Sequence, residues 1–182
     1  DLKIKDAAVS GYTMAAAAVG YAYRTTVENV DLIGTNTVTG ILDGSSAAPN
    51  MVAGIVGAGK GSTVKGCDVT GTKLVMNTVP GANALAENVH DAGLVGGGLE
   101  DSSLENCSAK NSSVTVDGAY CFGIGGLSGC AMSAGYVKNC TVKDVDIKMG
   151  DGAYLVGGLV GYTGQAGDTA PTEVSDCTAN VD

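Results

Sequence analysis

The stretch Val137 to Tyr162, VKNCTVKDVDIKMGDGAYLVGGLVGY, decides how the rest of the chain is read. It divides into a V-x-N-C-x-V element at 137–142, a V-x-I-x-M element at 145–149 and a glycine-rich G-G-L-V-G element at 157–161. Asp151 and Gly152 supply a turn pair between the last two. Working outward, the first element returns at Val27-Glu-Asn-Val30-Asp-Leu32, Val64-Lys-Gly-Cys67-Asp-Val69, Leu104-Glu-Asn-Cys107-Ser-Ala109 and Val174-Ser-Asp-Cys177-Thr-Ala179. Successive starts lie 37, 40, 33 and 37 residues apart. The glycine-rich element returns as AAAVG at 16–20, AGIVG at 53–57, AGLVG at 92–96 and GGLSG at 125–129. Two independent elements that keep one period identify a repeat fold.

The middle element follows by counting from the cysteine column. Positions five, seven and nine further on read Thr35/Thr37/Thr39, Thr72/Leu74/Met76, Ser112/Val114/Val116 and Val145/Ile147/Met149. A period of two marks a strand with one buried face. Three short strands per unit, joined at Gly, Asn and Asp-Gly corners, predict one coil of a parallel β-helix. The expected fold is therefore an all-β, parallel β-helix (β-solenoid) of about five coils, forming a single domain over residues 1–182. Coils of this length favour right-handed winding.

Composition agrees. Of 182 residues, 29 are glycine, tryptophan is absent, phenylalanine occurs once and only 16% are charged, which suits narrow, repetitive strands better than helices. A net charge of −9 with ten basic residues argues against a nucleic-acid surface. Apolar runs such as MAAAAVG at 14–20 fall well short of the ~20 residues of a membrane span. There is no C-x-x-C pair and only one histidine, so neither a zinc site nor any other cofactor is expected.

Stacked coils place like residues above like. Cys67, Cys107, Cys140 and Cys177 then form an internal ladder of inert thiols that Val30 continues. The column two before the cysteine reads Glu28, Lys65, Glu105, Lys138, whose alternating sign fixes register. Gly54, Gly57, Gly93, Gly96, Gly126, Gly129, Gly158 and Gly161 serve as corner and close-packing residues. The template breaks at an inserted loop, 77–91, and at the irregular stretches 43–50 and 163–173. Leu2-Lys-Ile4-Lys matches the middle element, and the chain closes just after a cysteine element. This cut predicts a segment of a longer array, or a unit stacking end to end.

Chemistry is sparse. Asp31 and Asp68 share an outward column, as a carbohydrate-cleaving β-helix would require, but Ser108, Thr141 and Thr178 follow them. Solvated surface is the favoured reading. The Asp-Gly pairs at Asp43, Asp117 and Asp151 read as turns, not calcium ligands. His90 is placed on an exposed loop, away from every ladder cysteine. Cys121 and Cys130 flank one glycine-rich element and are the candidates for a disulfide. The seven tyrosines read as caps on the core, with stacking on sugar rings as the alternative.

The G-I-V-G at 54–57, G-L-V-G at 93–96, G-L-S-G at 126–129 and G-L-V-G at 158–161 resemble the GLUG motif, with Asn106-Cys107 and Asn139-Cys140 as its companions. The resemblance runs through nearly the whole chain; its first copy, Ala17-Ala-Val-Gly20, replaces Gly-Leu with Ala-Ala. It implies a β-solenoid in a bacterial cell-surface or secreted, adhesin-like protein and brings no catalytic residues. The expected function is a non-enzymatic extracellular stalk or adhesive surface whose partner is a host or neighbouring-cell surface protein or glycan. A carbohydrate-binding or carbohydrate-cleaving β-helix is the first alternative. A filament subunit that self-associates through the solenoid ends is the second.

Overall fold

The computed structural model describes residues 1–42, 50–78, 90–117, 123–150, 155–164, 168 and 170–182. Their regular structure is entirely β-strand, and the strands pair in parallel. They form one nine-stranded sheet, A, and three five-stranded sheets, B, C and D. One circuit runs through Ser108–Asp117 in sheet A, Gly123–Gly125 in B, Ser128–Met132 in C and Tyr136–Lys138 in D, then re-enters A at Thr141–Met149. Each strand pairs with its counterparts one circuit before and after, which makes the chain a parallel β-solenoid. The coil has four sides, one more than the three strands expected.

The extra side arises because both sequence motifs are corners and not strands. In V-x-N-C-x-V, Tyr136–Lys138 belongs to sheet D and Thr141–Met149 to sheet A; Asn139 and Cys140 are the bend between them. In the glycine-rich motif, His90–Gly93 belongs to B and Gly96–Glu100 to C, with Leu94 and Val95 between. A strand needs only alternation, which many residues satisfy. A corner needs particular backbone angles or a close approach, and so it prints a recognisable motif.

The corner logic is visible in the backbone. Among the described residues, eleven non-glycines and five glycines have φ in the left-handed region. All fall into three columns. One lies inside sheet A (Asp6, Gly34, Gly71, Asn111, Asp144), one between C and D (Arg24, Gly61, Asp101, Ser133, Ala134, Gly164), and one between D and A (Asn29, Gly66, Asn106, Asn139, Asp176). Most positions carry Gly, Asn or Asp, the residues that adopt this conformation at least cost.

A donor follows each corner. Between D and A it is the thiol: Cys67, Cys107, Cys140 and Cys177 each donate to the carbonyl two residues back, at 3.1–3.4 Å. Each also reaches a carbonyl of the preceding coil, at 3.5–3.8 Å. Between C and D the hydroxyls of Ser62 and Ser102 donate two residues back, to Lys60 and Glu100, and accept the amides of Thr25 and Ser62. Inside sheet A, Ser112 donates to Lys110 and accepts from Thr72. The thiols thus add a second donor to carbonyls that already accept an amide of the preceding coil, those of Asn29, Gly66, Asn106 and Asn139 donating to Lys65, Glu105, Lys138 and Ser175 at 2.9–3.2 Å. Val30 takes the same place in the first coil and is buried. Cys107→Ser keeps a donor of the kind the other corners use, and should cost under about 1 kcal/mol in urea unfolding. Cys107→Val removes it and adds volume to a packed core, and should cost ~1–3 kcal/mol.

The core is a set of apolar columns, for example Val27, Val64, Leu104 and Val137 in sheet D, in register and buried. Beside it Glu28, Lys65, Glu105 and Lys138 alternate as expected, with Lys65 Nζ 2.9 Å from Glu28. Two expectations are corrected. Thr37 and Thr39 do not face the core; Asn36 and Val38 do, because Asn36 pairs with Thr72 and Val38 with Leu74. The first coil holds one extra residue at its Gly34 corner, and a one-residue slip reverses every side chain that follows. Leu2–Lys5 is not a middle strand: Leu2 pairs with Val30, at the head of the ladder column, and the middle strand of that coil is Ala8–Gly11.

Candidate functional site

Sheets B and C meet outside the main core along a second, narrower seam. On B the facing column is Met14, Met51, Asp91, Gly123, Leu155. On C it is Tyr21, Ala58, Gly98, Cys130, Tyr162. Large residues lean over small ones. A Cβ on Gly98 would lie 2.5 Å from the Met51 sulfur, and one on Gly123 would lie 2.6 Å from Asp91 Oδ1 and 2.7 Å from the Tyr162 ring. Between these columns backbone meets backbone: a Cβ on Gly97 would lie 2.3 Å from the Gly57 carbonyl oxygen.

Towards the first coil the seam opens into a groove of about 190 Å³. Met14, Tyr21, Met51, Ala58, Gly98 and Met132 line it, and the Lys60–Glu100 ion pair, 2.8 Å long, forms its rim. Hydrogen bonding and charge from Glu100 hold the Lys60 ammonium above its ordinary pKa. Tyr21 and Tyr23 are exposed and near-parallel, with ring centroids 6.4 Å apart and planes at 20°. The Arg24 guanidinium lies 5.2 Å from the Tyr23 ring centre. A second, polar groove of about 330 Å³ runs on sheet D among Glu105, Tyr136, Lys138 and Glu173. There the Tyr136 hydroxyl donates to Glu105.

Further along the seam lie three titratable groups from three successive coils. Asp91 is wholly buried, Cys130 likewise, and Tyr162 is half-buried. Burial pushes the Asp91 carboxyl up to about 7, against weaker opposing effects from the Cys130 thiol and Gly123 amide. Burial also raises Cys130 and Tyr162, so both are protonated near neutral pH.

His90 is corrected from exposed loop to buried strand. It opens His90–Gly93, pairs with Asn50 and shares a 3.1 Å hydrogen bond between its Nδ1 and the Asn50 amide. Desolvation lowers its pKa, which favours the neutral ring. The 77–91 insertion is correspondingly narrower. Asn77 and Thr78 end the strand Thr72–Thr78, His90 and Asp91 begin the next, and 79–89 lie outside the described residues.

Asp31 and Asp68 stand directly opposite one another on the outer face of sheet A. Lys3 faces Asp31 from the coil before, and the Ser108 hydroxyl donates to Asp68. Cys67, Cys107, Cys130, Cys140 and Cys177 are free thiols, with Cys177 half-buried at the last rung. Held between the thiols of Cys140 and Cys67, Cys107 is pushed far above the usual thiol range. Cys121, named as the partner of Cys130, lies outside the described residues, as do Tyr120, Tyr154, Asp43 and Asp151. Among the described residues no three His, Cys, Asp or Glu side chains are arranged to hold a metal ion, and no helix is long and apolar enough to cross a membrane.

The described part of residues 152–182 crosses sheets B, C, D and A in turn, which is one full circuit. That circuit matches the GLUG motif. No curated protein and no solved structure gives a significant match to the chain. The GLUG segment pairs strand for strand with the coil before it, through Gly123–Gly125, Ser128–Met132, Tyr136–Lys138 and Thr141–Met149. The remaining coils continue the same register. Sequence reasoning missed the seam and Asp91 within it. Counted from the glycine-rich motif, the column of Met14, Met51, Gly123 and Leu155 would hold His90. The pairing of Gly93 with Ala53 and Gly125 slips that coil by one residue and puts Asp91 there instead, so the motif gives no signal for it.

Proposed function

We propose that the chain is a non-enzymatic, extracellular repeat module of a bacterial surface protein, in which regular coils hold an adhesive groove towards a partner protein. The observation that carries this reading is the groove between Met14, Tyr21, Met51 and Met132. Its lining is mostly apolar, its rim is a single ion pair, and its size is below the ~300–1,000 Å³ of drug-sized sites. Such a groove suits one aliphatic or aromatic side chain of a polypeptide, and unbranched, polarisable methionines adapt to varied anchors. The coils supply rigidity; their motifs go into corners and packing, leaving little chemistry on the faces.

Panning a displayed peptide library on the folded protein tests this. Selected peptides should carry an apolar anchor and lose at least tenfold in affinity for Tyr21→Ala, an exposed site whose truncation leaves the core intact. Peptides that bind Tyr21→Ala equally well would exclude the groove. The Tyr21–Tyr23 pair gives a glycan partner its own support, through stacking on a sugar ring. Binding to a glycan array, lost in Tyr21→Ala and Tyr23→Ala, would favour that partner over a peptide. Polysaccharide turnover abolished by Asp68→Asn would overturn the non-enzymatic reading.

A further inference from the structure

Asp91 is the one acid in the seam columns, and it has no exposed surface. Neither carboxyl oxygen receives a hydrogen bond of ordinary geometry from a described residue; the polar groups that reach it are the Cys130 thiol and the Gly123 amide. The facing groups can be taken element by element. On sheet B, Met51 stands on one side and Gly123 on the other, and neither titrates. On sheet C, Gly98, Cys130 and Tyr162 face it, and beyond Tyr162 lies Asp168. On its own strand the next titratable group is His90, paired with Asn50. No cation is among these groups. A carboxylate here would have lost its water without gaining a compensating charge, which is costly.

We propose that Asp91 is a proton-operated latch on the seam: as a neutral acid it lets sheets B and C close, and on ionising it draws water in and loosens the coils on either side. The inference does not depend on the partner proposed above. It does reach the groove, because Met51 is the neighbour of Asp91 in its column and also lines that groove. The solenoid would then be tightest in mildly acid surroundings and would relax in alkaline ones.

Carboxyl-carbon NMR of the wild-type chain, with Asp91→Asn to assign the signal, tests the latch directly. The Asp91 resonance should titrate at least two pH units above an ordinary aspartate. Hydrogen-exchange protection in His90–Gly93 and Gly123–Gly125, corrected for intrinsic rates, should fall more than tenfold between pH 6 and 8.5 in the wild type and hold constant in Asp91→Asn. An ordinary titration midpoint would overturn the proposal, and so would protection that ignores pH in the wild type. If Asp91→Asn does not fold, the wild-type titration and exchange decide the matter, the signal then being assigned by through-bond correlation.

Discussion

Gly97→Ala should cost about 3 kcal/mol or more, while Gly66→Asn in the same protein should stay within about 1 kcal/mol of wild type. The two glycines do different work. A Cβ on Gly97 would lie 2.3 Å from the Gly57 carbonyl oxygen and 2.9 Å from the Val52 amide nitrogen. Both obstacles are backbone atoms of strands pinned on each side by further coils, so neither yields without breaking the ladder. Overpacking of this kind costs ~1–3 kcal/mol where side chains can adjust, and here they cannot. For a chain of this length the melting temperature should drop by roughly 6–12 °C. Gly66 is needed only for its backbone angle, φ +58. Asn29, Asn106 and Asn139 hold the same corner at φ 54, 52 and 53, and the first atom a Cβ would meet is the movable end of Asn29. Asparagine also has less freedom to lose on folding, so Gly66→Asn should stay within about 1 kcal/mol of wild type. Thermal melts of the two variants side by side check both statements.

The second large effect is on pH dependence. In the unfolded chain Asp91 gives up its proton near the ordinary aspartate value of ~3.9, and in the folded chain only at about 7. Between those values the folded state holds the extra proton, so stability from this group is full below pH ~4, falls as pH rises and is lost above about 7. The gap of about three units corresponds to roughly 4 kcal/mol in all. Asp91→Asn preserves shape and removes the charge. The wild type minus the variant should therefore decline steadily from pH 4 to 7 and then level off, as read from urea midpoints across that range. Parallel profiles would place the wild-type pH dependence elsewhere.

Much of this architecture can be read from the sequence, and each misreading has its own physical cause. The motifs at Asn139-Cys140 and Gly157–Gly161 have the right period, yet each bends the chain where a strand was expected, because bends constrain sequence more tightly than strands do. The Glu28–Lys65–Glu105 alternation was legible because charge on an exposed face has no competing burial pattern. The Thr37 and Thr39 error came from a single extra residue at Gly34, which counting from the cysteine column cannot detect. His90 and Asp91 follow the longest break in the template. Only the pairing of His90 with Asn50 and of Asp91 with Met51 shows that the strand has already resumed. The seam itself was illegible for a stronger reason. It depends on two columns from different sheets facing one another, and nothing in a linear repeat states which outward faces converge.

The register of the coils underlies every part of this account, and methyl NOEs along sheet D test it most directly. Val64, Leu104 and Val137 stand in consecutive coils, with Leu104 between the other two. Cross-peaks should join Val64 to Leu104 and Leu104 to Val137, and none should join Val64 to Val137. Strong contact between Val64 and Val137, or the absence of contact from Leu104 to either, would contradict the stacking from which the corners, the thiol ladder and the Asp91 seam all follow.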